Sequence, residues 1–68
     1  MMKITLNNNP ETFDSERISI SELLKIKNYS FRMLIVKING TLVKKDQYEN
    51  SFIRDGDDVM VLHLISGG

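Results

Sequence analysis

Apolar and polar residues alternate along Met2-Lys3-Ile4-Thr5-Leu6, the period-two pattern of a strand with one buried face. Asn7-Asn8-Asn9-Pro10 breaks it with turn-favouring residues, because Asn tolerates left-handed backbone and Pro fixes its own φ. Glu11 to Asp14 then reads as a return strand, making an N-terminal hairpin. The period changes after Ser19. Ile20, Leu23 and Leu24 fall at helical spacing, and Ser19-Ile20-Ser21-Glu22 matches a capping box. This predicts a helix of two to three turns from Ile20 to Lys27. Asn28 to Arg32 is a connection whose aromatics, Tyr29 and Phe31, lie over the core edge. Met33 to Ile38 is rich in β-branched residues and long enough for a central strand. Asn39-Gly40 follows at once, the strongest short hairpin signal, with Thr41-Leu42-Val43 as partner strand. Lys44 to Asn50 is polar and turn-like, with room for one helical turn, and Tyr48 and Phe52 are expected to pin it to the core. Asp55-Gly56-Asp57 is a second tight turn, and it launches the last strand, Asp58 to Leu64.

The predicted order is therefore β-β-α-β-β-turn-β. A helical crossover after a hairpin favours parallel pairing of the first and last strands, which places both near the middle of the sheet. The fold class is α+β: a mixed sheet of four to five strands with one main helix packed across one face. That arrangement is the β-grasp, or ubiquitin-like, architecture. Sixty-eight residues leave room for one domain, expected over 1–65, followed by a tail at 66–68.

Composition narrows the functional classes. Nine Lys+Arg balance nine Asp+Glu, so the basic excess expected of a nucleic-acid binder is missing. No apolar stretch approaches a membrane span and the N-terminus lacks a signal-peptide pattern, so a cytoplasmic location is expected. The sequence has no cysteine, hence no disulfide and no thiolate metal site. If the protein handles sulfur, the sulfur must sit somewhere other than a cysteine.

Side-chain chemistry is sparse. His63 is the only histidine and has no evident orienting partner for base catalysis. Asp55, Asp57 and Asp58 are not read as metal ligands: Asp55-Gly56-Asp57 is turn chemistry, and sites for hard cations need more oxygen ligands at regular spacing. Ser19 already serves as a cap, and the other serines form no nucleophile elbow. Gly40 and Gly56 serve turn geometry and form no phosphate-cradling loop. No metal or bound cofactor is expected, and no catalytic residue. What remains is the end of the sequence, Ser66-Gly67-Gly68, directly after the last strand. Chance alone gives a Gly-Gly end in about 1 chain in 200. Two glycines leave no side chain to crowd an enzyme's cleft and adapt to whatever backbone conformation it demands. Ser66 is small and polar where the chain would enter. The reactive group would then be the Gly68 carboxylate.

Taken together, a β-grasp of this length with Ile38-Asn39-Gly40, an Asp55-Gly56-Asp57 turn about fifteen residues later, and Ser66-Gly67-Gly68 at the end resembles the ThiS-type sulfur carriers of thiamine biosynthesis. The related MoaD-type carriers of molybdopterin synthesis share the fold and the Gly-Gly end but are usually longer and often carry proline in the last strand. Val59 to Leu64 has none. The resemblance implies that a ThiF-type adenylyltransferase uses ATP to adenylate the Gly68 carboxylate. Sulfur from a persulfide donor then displaces AMP, and the resulting thiocarboxylate passes its sulfur to a ThiG-type thiazole synthase. It also implies that the carrier itself is not an enzyme.

Strand alternation names a surface for such partners. With Lys37 facing water, Leu34, Val36 and Ile38 point to the core while Met33 and Ile35 lie outside. In the last strand, Val59 and Val61 point in. The outer face then presents Ile35, Met60, Leu62 and Leu64 close to the tail, as a docking patch. Three other readings fit the same residues: a MoaD-like carrier, a ubiquitin-like modifier conjugated through its C-terminus, and a plain interaction module with incidental glycines.

Overall fold

Met2, Ile4 and Leu6 are buried and Lys3 and Thr5 exposed in a computed structural model of the chain, which describes residues 1–29 and 34–63. They form β1 (Met2–Leu6), which turns back into β2 (Asn9–Phe13) through Asn7 and Asn8, at φ 51° and 67°. Two left-handed residues give the tight turn that matches the right-handed twist of paired strands. The return strand therefore starts earlier than the expected Glu11, with Pro10 inside it opposite Thr5. β2 lies at the sheet edge, where the missing proline N–H leaves no ladder bond unmade.

The chain next forms a short strand, β3 (Arg17–Ser19), and enters the helix α1 (Ile20–Ile26). The expected capping box is present. Ser19 Oγ accepts the Glu22 N–H at 3.1 Å, and the Glu22 carboxylate accepts the Ser19 N–H at 3.4 Å. Lys27, expected as the last helical residue, is instead the C-cap. Asn28 then turns left-handed (φ 60°), its N–H donating to the Lys25 carbonyl and that of Tyr29 to the Leu24 carbonyl. This closes the helix with Asn in the place glycine usually takes. A 3.1 Å ion pair between Lys27 and Glu11 ties the helix end to β2.

β4 (Leu34–Ile38) and β5 (Thr41–Val43) form a hairpin over Asn39 (φ 51°) and Gly40 (φ 83°), as expected. A single 3-10 turn (Lys45–Gln47) leads to β6 (Phe52–Arg54) and then β7 (Asp58–His63). Among the described residues the main sheet has five strands in the order β2-β1-β7-β4-β5, with β1 and β7 parallel. Its inner face supplies Met2, Ile4, Leu6, Val36, Val43, Val59 and Val61 to one core, shared with Ile18, Ile20, Leu23 and Ile53. The fold is thus the β-grasp.

One pairing departs from the expected order. β3 and β6 form a separate two-stranded antiparallel sheet, with Ile18 opposite Ile53, where connecting segments were expected. Each has three residues and a single core-facing aliphatic, too few to register as a periodic pattern. Phe52 also departs from expectation. It stays 38% exposed, because alternation in β6 sends Ile53 inward and Phe52 outward. Tyr48 does pack against the core.

Two side chains bind distant segments together. Asn7 donates to the Val61 carbonyl and accepts the Val61 N–H at 3.1 and 2.8 Å, prolonging the β1–β7 ladder with a side-chain amide. Asn39 accepts the Asp58 N–H at 2.9 Å and donates to Asp57 at 3.1 Å, while Asp57 also accepts the Arg54 N–H. Replacing Asn39 with Gly keeps the turn's backbone freedom but removes both bonds. Loss of about 1–2 kcal/mol is expected in urea unfolding. An unchanged midpoint would show that the amide only serves the turn.

Burial pushes the Tyr48 phenol above its ordinary value of 10.0. The folded state thus favours the neutral ring, and this stabilisation is complete below that pH and lost as pH rises through the higher folded value. Urea midpoints should fall as the pH rises above about 10. The fall should be shallower in Tyr48→Phe; an identical slope in both proteins would assign it to other groups.

Candidate functional site

The face of the main sheet opposite the core is open among the described residues, and the strand register fixes which side chains meet there. Ile35 of β4 stands directly opposite Leu62 of β7. Lys37 stands between Met60 of β7 on one side and Leu42 of β5 on the other. Leu62 is 42% exposed and Leu42 55%, while Ile35 and Met60 are half-buried. The inner residues of the same strands, Val36, Val59 and Val61, are buried, as alternation requires. Leu34 and Ile38 pack against the core from its margin.

Three of the four expected partner-binding residues, Ile35, Met60 and Leu62, therefore lie on one surface. Leu64 lies outside the described residues. So do Met33, Ser66, Gly67 and Gly68, and with them the boundary between the 1–65 domain and the 66–68 tail. Leu42 belongs to the same face and was not singled out from sequence. Its signal was there: a two-residue Asn39-Gly40 turn sets Ile38 opposite Thr41 and hence Lys37 opposite Leu42. Lys37 puts one exposed ammonium among these aliphatic side chains. A complementary partner surface would be apolar with a carboxylate near its centre.

The aspartates expected in turns are occupied there. Asp55 Oδ1 accepts the Lys3 N–H at 2.7 Å, and the Gly56 N–H donates to the Lys3 carbonyl. Gly56 takes φ 87°, which a residue with a Cβ resists. Among the described residues no group of three or more His, Cys, Asp or Glu could hold a metal ion. No helix among them is long and apolar enough to cross a membrane.

This geometry has close counterparts. The crystal structure of the thiamine biosynthesis protein ThiS from Geobacter metallireducens superposes with a TM-score of 0.88 at 29% identity, covering 98% of this chain and 100% of that one. The solution NMR structure of a thiamine biosynthesis protein from the same organism gives 0.78 at 29% identity, covering 98% and 88%. An uncharacterized protein of Porphyra purpurea, ycf40, is 29% identical over 66 residues, 96% of this chain and 93% of its own length. The family model for ThiS matches residues 4–68, from β1 through the Gly-Gly end. The chain belongs to the ThiS family.

Proposed function

We propose that this chain is a sulfur carrier of thiamine biosynthesis, working through the carboxyl group of Gly68. The observation that carries this reading is the family match across residues 4–68, which includes Ser66-Gly67-Gly68. The likeness to the Geobacter thiamine biosynthesis protein supports the pathway. A chain without cysteine needs another place to hold sulfur, and its own carboxyl end is one.

A free carboxylate resists nucleophiles because its charge repels them and oxide is a poor leaving group. A ThiF-type adenylyltransferase would join it to AMP at the expense of ATP, with pyrophosphate leaving. The terminal sulfur of a persulfide would then attack the acyl carbon and expel AMP. A thiol supplies the two electrons that release the product as a thiocarboxylate. A ThiG-type thiazole synthase would take that sulfur into the thiazole ring. The carrier contributes a reactive end and a recognisable body; ATP binds to the activating partner, and catalysis is the partners' work.

The body's contribution is the open sheet face. Ile35, Met60 and Leu62, with Leu42 and Lys37 beside them and Leu64 next along the sequence, would dock the activating enzyme. Leu62 precedes Gly68 by six residues, a reach of roughly 20 Å when extended, so a protein seated on this face can take the tail into a nearby cleft.

The test is the intact mass of the protein after incubation with ATP, a ThiF-type enzyme and a persulfide donor. A gain equal to one sulfur replacing one oxygen is the expected result. A ladder of covalent conjugates would assign the chain to protein modification instead, and a stable adenylate without sulfur would point to the wrong donor or to a modifier.

A further inference from the structure

The second sheet carries a feature that sulfur transfer does not use. Arg17 and Arg54 stand directly opposite each other in the β3–β6 pair, both exposed, while the next pair along the ladder, Ile18 and Ile53, points into the core. Like charges so placed, with Cβ atoms about 5 Å apart, weaken the pairing that holds them. The Arg17 guanidinium carbon lies 4.6 Å from the centroid of the Phe52 ring, so the ring supports it from below. Among the described residues the ion pair formed joins Lys27 to Glu11, and neither arginine takes part in one. Glu16 and Asp55 line the same open hollow of about 480 Å³, but Asp55 Oδ1 already accepts the Lys3 N–H.

We propose that Arg17, Phe52 and Arg54 form a second docking surface, which takes a carboxylate-bearing loop of a protein partner. Guanidinium forks fit carboxylates in a bidentate way, and two of them on adjacent strands can hold a pair of acidic side chains. A half-exposed aromatic beneath an arginine is the residue combination that anchors protein interfaces. Glu16 and Asp55, which line the same hollow, and the zero net charge work against a diffuse polyanion such as a nucleic acid. They leave room for acids that reach the forks at short range. Position adds a consequence. Arg54 precedes β7 by four residues, and β7 runs roughly 20 Å from Asp58 to His63, the last described residue. A partner held here leaves the open face of the main sheet, with Leu42 and Leu62, free.

The test titrates isotope-labelled full-length protein with a hexaglutamate peptide and, separately, with inorganic phosphate, following backbone amides by NMR. The expected result is saturable shifts confined to residues 16–18 and 52–55 with the peptide. Affinity should fall about tenfold in the R17A/R54A double variant. It should also fall in R17K/R54K, which keeps the charge but loses the planar fork. Urea midpoints of both variants, equal to or above that of the parent, exclude unfolding as the cause. An affinity unchanged in R17A/R54A would overturn the proposal, as would no saturable shift at all. Phosphate saturating the same amides as tightly as the peptide would also overturn it, in favour of a small-anion site. No sulfur chemistry enters this experiment, so its failure leaves the proposed function standing.

Discussion

Deletion of Gly68 is expected to abolish sulfur loading while leaving the fold intact. The new carboxylate, on Gly67, would sit about 3.5 Å short of the position the activating enzyme is built to receive. Misplacement of a reacting group by about 1 Å already costs on the order of 100-fold, so loading should fall below detection in the intact-mass assay. The body should not notice. Among the described residues the core cluster runs from Met2 to Val61, and removal of one terminal glycine takes no side chain from it, so the urea midpoint should stay within error of the parent. Loading that persists without Gly68 would refute the C-terminal carboxylate as the acceptor. A lowered midpoint would instead show that the tail helps hold the domain together.

Leu62→Glu should be the most damaging single change on the open face. Leu62 is 42% exposed and packs across from Ile35, near the end of β7 from which the tail departs. A glutamate there keeps the backbone ladder and exposes a charge to water in the free protein, at a cost to folding of less than about 1 kcal/mol. Against a partner surface that is apolar opposite Leu62 and carries a carboxylate for Lys37, the new charge must be desolvated and is repelled, a loss of about 2 kcal/mol or more. The apparent KM of the carrier for a ThiF-type enzyme should rise about 30-fold with kcat little changed. Ile26→Glu is the control: Ile26 is 56% exposed, but it lies on α1, across the core from this face. Equal effects at Leu62 and Ile26 would point to general loss of solubility, and an unchanged KM for Leu62→Glu would remove the open face from the docking surface.

Both predictions draw on features that were legible before any coordinates. Alternation in Met2–Leu6 and in Asp58–His63 assigns an inner and an outer face, because the strand period is two and one face must leave water. The capping box at Ser19 and Glu22 and the Asn39-Gly40 turn are local hydrogen-bonding and backbone devices, complete within four residues. So the outward set Ile35, Met60 and Leu62 could be named from spacing, and Leu42 could have been.

Other features depend on partners far along the chain. Asn7 reads as a turn residue, and it is one; that its amide also pairs with Val61 follows only when β7 lies parallel to β1. Asn39 meets Asp57 and Asp58 only because two separate turns converge at one end of the sheet. The β3–β6 pair closes a loop of more than thirty residues with three residues a side, so neither strand announces itself by period. Without that pairing, nothing in the sequence sets Arg17 opposite Arg54 or turns Phe52 toward solvent beneath a guanidinium. The sequence by itself determined the helix, the main strands, their inner and outer faces and the Gly-Gly end, because each rests on interactions among near neighbours. The tertiary structure alone decided the second sheet, the two asparagine bridges and the opposed arginines, because each needs segments that meet only once the chain has closed around its core.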